Sequence, residues 1–211
     1  FSTKNNPSNQ PRMGLGYSIV GQLLLIDRIG LLKITKQQIK AIIKTLSFYD
    51  NQFGVSRPLS DNLAKQLALF IHDVSVWYIA SEHLSGNAHV AANQMNENAK
   101  LFGGYFILPE LNHHLLEGLP NPKNNKDNLS FVFFDSKLYH LRNQKRYAIT
   151  KQILDKNDIK YFTYACQAKD KLSQSGEVLV FGSYVSYYSA ILRGIDPSPI
   201  PWVDYFKKEM S

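Results

Sequence analysis

Two rhythms of apolar and polar positions divide the 211 residues. After a polar opening, FSTKNNPSNQPRM, punctuated by Pro7 and Pro11, the apolar positions turn helical. The run GLGYSIVGQLLLIDRIGLL predicts a buried helix from Gly14 to about Ile29. Thr35 caps a second helix, where Ile39, Ile42, Ile43 and Leu46 recur at helical spacing. Beyond the turn at Gly54–Pro58, Leu59, Leu63, Leu67 and Phe70 mark a third. The rhythm then changes. VSVWYIA (74–80), LSFVFF (129–134) and IKYFTYA (159–165) are short apolar runs rich in β-branched and aromatic residues, each followed by a longer stretch of helical character. These helices are predicted to begin at Ser85, to span about Tyr139–Asn157, and to span about Leu172–Arg193. Strand alternating with helix is the pattern of a parallel sheet with crossover helices. The expected fold is therefore α/β, a doubly wound three-layer α/β/α sandwich with a mainly parallel sheet and a helical lead-in.

Composition adds bounds. Apolar residues make up 44% of the chain and charged residues 19%, ordinary values for a globular domain with a real core. The one cysteine, Cys166, cannot form an internal disulfide, so a reducing, cytoplasmic setting is expected. Its aromatic neighbours suggest a buried thiol rather than a nucleophile. The most apolar early stretch, Ile19 to Leu32, is interrupted by Gln22, Asp27 and Arg28, too short and too charged for a membrane span. A net charge of +7 raises nucleic acid as a partner, yet the lysines are scattered as on a solvated surface. Neither a membrane nor a nucleic acid is expected as partner. The opening on Phe1 rather than Met, and the proline-punctuated residues 1–13, read as a linker remnant before a domain at 14–211.

Candidate chemistry concentrates between Ser85 and Gly118. There a helix is expected to give way, past the Gly103-Gly104 break, to an irregular loop. Glu97 stands near the helix end among Asn93, Gln94, Asn96 and Asn98, a polar face that suits a sugar or simply an exposed helix end. His113 and His114 follow in ELNHH. Glu97 and His113 are too far apart in sequence to meet on one helix, so the fold or a second subunit must join them if they act together. A carboxylate and an imidazole are a common pair for proton transfer near neutral pH. Taken singly, each has an ordinary reading as a solvated side chain. Adjacent histidines diverge and lack a third ligand, so no metal is expected. Arg12, in QPRMGLG, could clamp an anion at a helix start or be a linker charge. Ser198 in DPSP reads as a turn hydroxyl, and Lys207 and Lys208 as a solvated helix face. P-loop, GxGxxG, GxSxG and HExxH signatures are all missing from the sequence.

Four segments in order, PRMGLGYSIVGQLL, NQMNENAK, LPELNHH and SYYSAILRGIDPSPIPWVDYFKK, resemble the bifunctional phosphoglucose/phosphomannose isomerases, proteins of two sugar-isomerase (SIS) domains. The resemblance covers the second domain over nearly the whole chain. It implies metal- and cofactor-free interconversion of glucose 6-phosphate or mannose 6-phosphate with fructose 6-phosphate. It implies Glu97 as the base working through a cis-enediol(ate), and His113 in ring opening, contributed across a homodimer interface. Arg12 is then the support for the enediolate charge, Lys207 the group near the ring oxygen with Lys208 beside it, and Ser198 the small hydroxyl residue tied to mannose acceptance. One family feature has no counterpart here: the SYSGNT-type loop with which the first domain grips the phosphate. A missing N-terminal SIS domain, and weak or absent activity of these residues alone, are the expectation. The rival reading is a non-catalytic SIS module that binds a sugar phosphate or serves dimerisation.

Overall fold

The computed structural model describes residues 3–211, so Phe1 and Ser2, where the expected linker begins, lie outside the described residues. Two compact units form: residues up to Lys44 together with Ser198–Ser211, and Thr45–Pro197.

The first unit holds helix α1 (Leu15–Arg28), which the apolar pattern anticipates. None of its residues is buried; Val20, Leu24 and Leu25 are about half exposed or more. The expectation of a buried helix is corrected: a unit this small has too little structure of its own to enclose an apolar helix. Helix α2 (Lys36–Phe53) starts in this unit at the predicted cap, and its residues from Thr45 on belong to the second unit. Gln38 N donates to Thr35 Oγ1 at 3.2 Å while Thr35 N donates to Gln38 Oε1 at 2.9 Å, a reciprocal capping box.

The second unit contains α3 (Leu63–Phe70), whose N-cap Asn62 accepts from Ala64 N and Lys65 N, both at 3.1 Å. Strand β1 (Ser75–Ser81), helix α4 (Ser85–Ala99) and strand β2 (Gly103–Leu108) follow. Two single-turn helices come next, α5 (Leu111–His114) and α6 (Asn125–Asn128). Strand β3 (Leu129–Asp135), helix α7 (Leu141–Lys156), strand β4 (Lys160–Ala165) and the long helix α8 (Lys171–Leu192) complete it. All strands are parallel, in the order β2-β1-β3-β4. Right-handed crossovers that leave β1 toward one edge and β3 toward the other must pass over opposite faces of the sheet. Accordingly α4 packs with α8, and α8 with α3, on one side, and α7 covers the other. This is the expected doubly wound α/β architecture.

The central strands are apolar on both faces, as a covered parallel strand requires: Val76, Tyr78, Ile79 and Ala80 in β1 and Phe131–Phe134 in β3 are buried. A fully buried carboxylate, Glu177 in α8, is satisfied by three donors at 2.8 Å: Tyr164 Oη, Gln167 N and Ala168 N. It pins the turn between β4 and α8. Cys166 lies in that turn, half-buried, its thiol pushed up by burial and by the nearby Glu177 charge.

The stretch expected as an irregular loop contains an edge strand instead. Gly103 and Gly104 open β2 rather than break the chain. A Cβ at Gly103 would run into the Val76 carbonyl oxygen, and one at Gly104 would come within 2.6 Å of the Trp77 ring. Bare backbone is what lets β2 close on β1.

Candidate functional site

The helix that carries Glu97 is fixed by its own amides. Gln94 and Asn98, one turn apart, are buried. Gln94 Nε2 donates to Ser183 Oγ at 3.0 Å and Asn98 Nδ2 to Ser186 Oγ at 3.0 Å, both on α8. Asn87 Nδ2 reaches the Ser175 carbonyl at 2.8 Å. The polar cluster around Glu97 is therefore not a single face. Its buried half locks α4 to α8 where Ala91 and Gly182 allow close approach, and only Asn93 and Asn96 are exposed. Helical periodicity turns residues 94 and 98 inward and leaves Glu97 half-buried at the border.

α4 ends in a left-handed residue, Lys100, at φ 52°. Lys100 N caps Met95 O, and Leu101 N bonds the same carbonyl at 3.3 Å. The Lys100 side chain folds back so that Nζ donates to the Glu97 carbonyl at 2.6 Å and to the Pro197 carbonyl at 3.1 Å. Sequence reading passed over this lysine, although a lysine at a helix C-terminus is a recognised partner for the last carbonyls.

His113 lies in α5, a helical turn rather than an irregular loop, with its N–H on the Glu110 carbonyl at 2.9 Å and its side chain exposed. His114 turns elsewhere, its ring 5.8 Å from that of Phe106. Glu97 thus precedes β2 and His113 follows it. Six strand residues rise about 20 Å, so the two side chains sit toward opposite ends of the edge strand. One chain does not bring them together.

In the first unit, two predicted residues do meet. Arg12 stands in a 3-10 turn at Pro11–Met13, where Nη1 donates to Gln10 Oε1 at 2.9 Å and Nη2 to the Ser198 carbonyl at 2.6 Å. Ser198 engages through its backbone there. Lys207 and Lys208 lie in the last turn of α9 (Pro201–Met210), all of whose residues are exposed, including Trp202, Tyr205, Phe206 and Met210 along one stripe.

The carboxyl edge of the sheet, where open α/β folds commonly bind ligands, has its own polar cluster. Gln174 Nε2 donates to the Ala168 carbonyl at 2.9 Å, so its Oε1 faces Ser136 Oγ at 2.6 Å and His83 Nε2 at 2.9 Å. His83 therefore carries its proton on Nε2. Burial lowers its pKa, against the opposing bond from Gln174. The Glu82 carboxylate accepts from His140 N at 2.7 Å and Asn143 Nδ2 at 2.9 Å, ahead of α7. Desolvation opposes its charge, but these bonds, with the charges of Lys171 and His83, together hold its pKa below the usual carboxylate value. The remaining histidines are occupied locally: His89 stacks on Tyr105 at 4.5 Å, His72 pairs with Asp73 at 2.9 Å, and His140 caps α7. Among the described residues no helix is long and apolar enough to cross a membrane.

Known proteins share the fold. The structure superposes on a glucose-6-phosphate isomerase like protein from Thermus thermophilus with a TM-score of 0.65, at 17% identity, over 82% of this chain and 56% of that one. It also superposes on the C-terminal domain of glucosamine-fructose-6-phosphate aminotransferase from Francisella tularensis, with a TM-score of 0.57 at 15% identity, over 79% and 49%. At such identities the likeness speaks for fold alone. In sequence, the chain is 30% identical to a bifunctional phosphoglucose/phosphomannose isomerase of Caldicellulosiruptor bescii over 96% of its own length and 60% of the relative's. A protein of the same description from Aquifex aeolicus is 31% identical over 58% of this chain and 39% of its own. The chain therefore spans about 60% or less of these relatives' length. Residues 60–210 match the family described as bacterial phospho-glucose isomerase C-terminal SIS domain, and it is to this family that the chain belongs.

Proposed function

We propose that these residues form the C-terminal SIS domain of an aldose–ketose isomerase acting on glucose 6-phosphate and mannose 6-phosphate. The observation that carries the reading is the family match together with the place of Glu97, held half-buried at a doubly anchored helix end. In this reading the Glu97 carboxylate removes the proton from C2 of the open-chain aldose. The C–H electron pair forms the C1=C2 double bond, and the carbonyl pair moves onto O1 to give a cis-enediolate. The proton of the C2 hydroxyl then passes to O1, and as the carbonyl forms at C2 the C1=C2 pair takes the proton back from Glu97 at C1. A carbanion-like step beside a carbonyl needs such a positioned base and a cation for the developing oxyanion. Arg12 supplies the cation, oriented by its bonds to Gln10 and Ser198. Lys207, with Lys208 beside it, serves the ring oxygen, and Ser198 lies near the sugar.

His113 opens the ring from the partner subunit. The topology supports this. Glu97 lies six residues before Gly103, the first of edge strand β2, and His113 five after Leu108, its last. A two-fold axis across the middle of β2 would set each Glu97 near His113 of the partner subunit. The exposed Phe102 and Tyr105 on that edge are apolar surface for such an interface.

The phosphate is gripped by a further, N-terminal SIS domain. In support, the donors ahead of α7 at this domain's own carboxyl edge are taken by the Glu82 carboxylate. Binding energy from a remote phosphate raises turnover as well as affinity, so these residues alone are expected to turn over weakly.

The test is interconversion of both sugar phosphates by the full-length protein and by its Glu97→Gln variant, with binding followed separately. Loss of about a hundred-fold or more in kcat, with substrate still bound, is expected of a general base. Unchanged turnover in the variant would refute the role of Glu97. A parent that binds but does not isomerise would leave the domain as a sugar-phosphate-binding module.

A further inference from the structure

We infer that Lys100 is a positioning residue for the reaction: its ammonium sets the backbone of Glu97 and so the reach of the base. The inference rests on the reading of Glu97 given above. The left-handed conformation at Lys100, φ 52° and ψ 33°, is one that glycine or asparagine adopts at lower cost. A β-carbon is tolerated there, and the side chain it carries is used. Near the end of a helix the last carbonyls lack amide partners from a following turn. Leu101 N, which would bond the Glu97 carbonyl if the helix continued, instead reaches back to Met95 O at 3.3 Å. The Lys100 ammonium takes its place, 2.6 Å from the Glu97 oxygen. A second bond, 3.1 Å to the Pro197 carbonyl, holds the same ammonium against a segment distant in sequence. Charge-assisted bonds of this kind are the stronger ones, and two of them on a half-buried head fix the last turn of α4.

On the inner side that turn is held by Asn98 on Ser186. The Lys100 bonds supply a second anchor, at residue 97 itself. Displacing a reacting group by about an ångström can cost on the order of a hundred-fold in rate, so an anchor one bond from the backbone of the base controls turnover more than affinity.

Two substitutions separate positioning from plain helix capping. Lys100→Gly removes the ammonium but suits the left-handed conformation, so Tm is expected to stay level or rise. Lys100→Met removes the charge and keeps most of the bulk. Both are expected to lower kcat of the full-length isomerase by about ten- to a hundred-fold with KM little changed, and Lys100→Arg to restore part of the loss. Wild-type kcat in Lys100→Gly would overturn the inference, as would kcat losses that simply follow a fall in Tm in both variants. Glu97→Gln, run alongside, keeps the two readings distinct. If that variant is fully active, the base assignment fails first. If it is inactive while Lys100→Gly is normal, the positioning role alone fails.

Discussion

Single residues here act through what holds them. Glu97 is a half-buried carboxylate near a helix end, an ordinary place by itself; in its proposed role it is held by Lys100 at its carbonyl and Asn98 behind it. His83 shows the same dependence on a different edge of the sheet. Its surroundings are Gln174, which accepts its Nε2 proton, with Lys171 and Glu82 as the nearby charges. Burial lowers its pKa below the ordinary 6.5. The unfolded chain therefore binds a proton at this position before the folded one does. Above about pH 6.5 the contribution of neutral His83 is fully present, and it is lost as pH falls through the lower folded-state value. Urea midpoints measured from about pH 7.5 down to 5.5 should fall more steeply for the parent than for His83→Gln. Parallel slopes would show that His83 titrates alike in both states.

Among the elements, β2 matters most to the proposed site. Its six residues divide Glu97 from His113, and its close approach to β1 depends on two glycines. Gly103→Ala should destabilise the domain by about 1–3 kcal/mol, read as a lower urea midpoint, because the added methyl meets backbone rather than a yielding side chain. An unchanged midpoint would mean that the strands can separate at no cost. The same strand marks where sequence reading stopped. The central strands were legible because burial on both faces makes continuous apolar runs such as FVFF. GGYFIL is short, opens with two glycines and has one side at the sheet edge, so its pattern resembles a loop. Helices α4, α7 and α8 were legible from periodicity. The inward turn of Gln94 and Asn98 was not, since an amide pointing at a serine on α8 carries the same letters as one pointing at water. Likewise α1 reads as buried from composition, while its exposure depends on what surrounds it.

For the molecule as a whole, the decisive question is how Glu97, before β2, and His113, after it, could serve the one proposed reaction. Arg12 and Ser198 show that distant segments can be joined within a chain, 186 positions apart. Glu97 and His113 are not so joined, and the proposed reaction therefore requires two copies. Subunit complementation in the full-length protein tests this directly. Glu97→Gln and His113→Ala chains, each inactive as a homodimer, are unfolded or dissociated together and allowed to reassociate. If His113 reaches across the interface, half the dimers are mixed and each has one intact site of its two, so activity returns to about a quarter of the parent's. If both residues of a site come from one chain, every site carries a defect and the mixture stays inactive. Recovery is the expected result; a silent mixture of verified heterodimers would show that His113 does not reach across the interface.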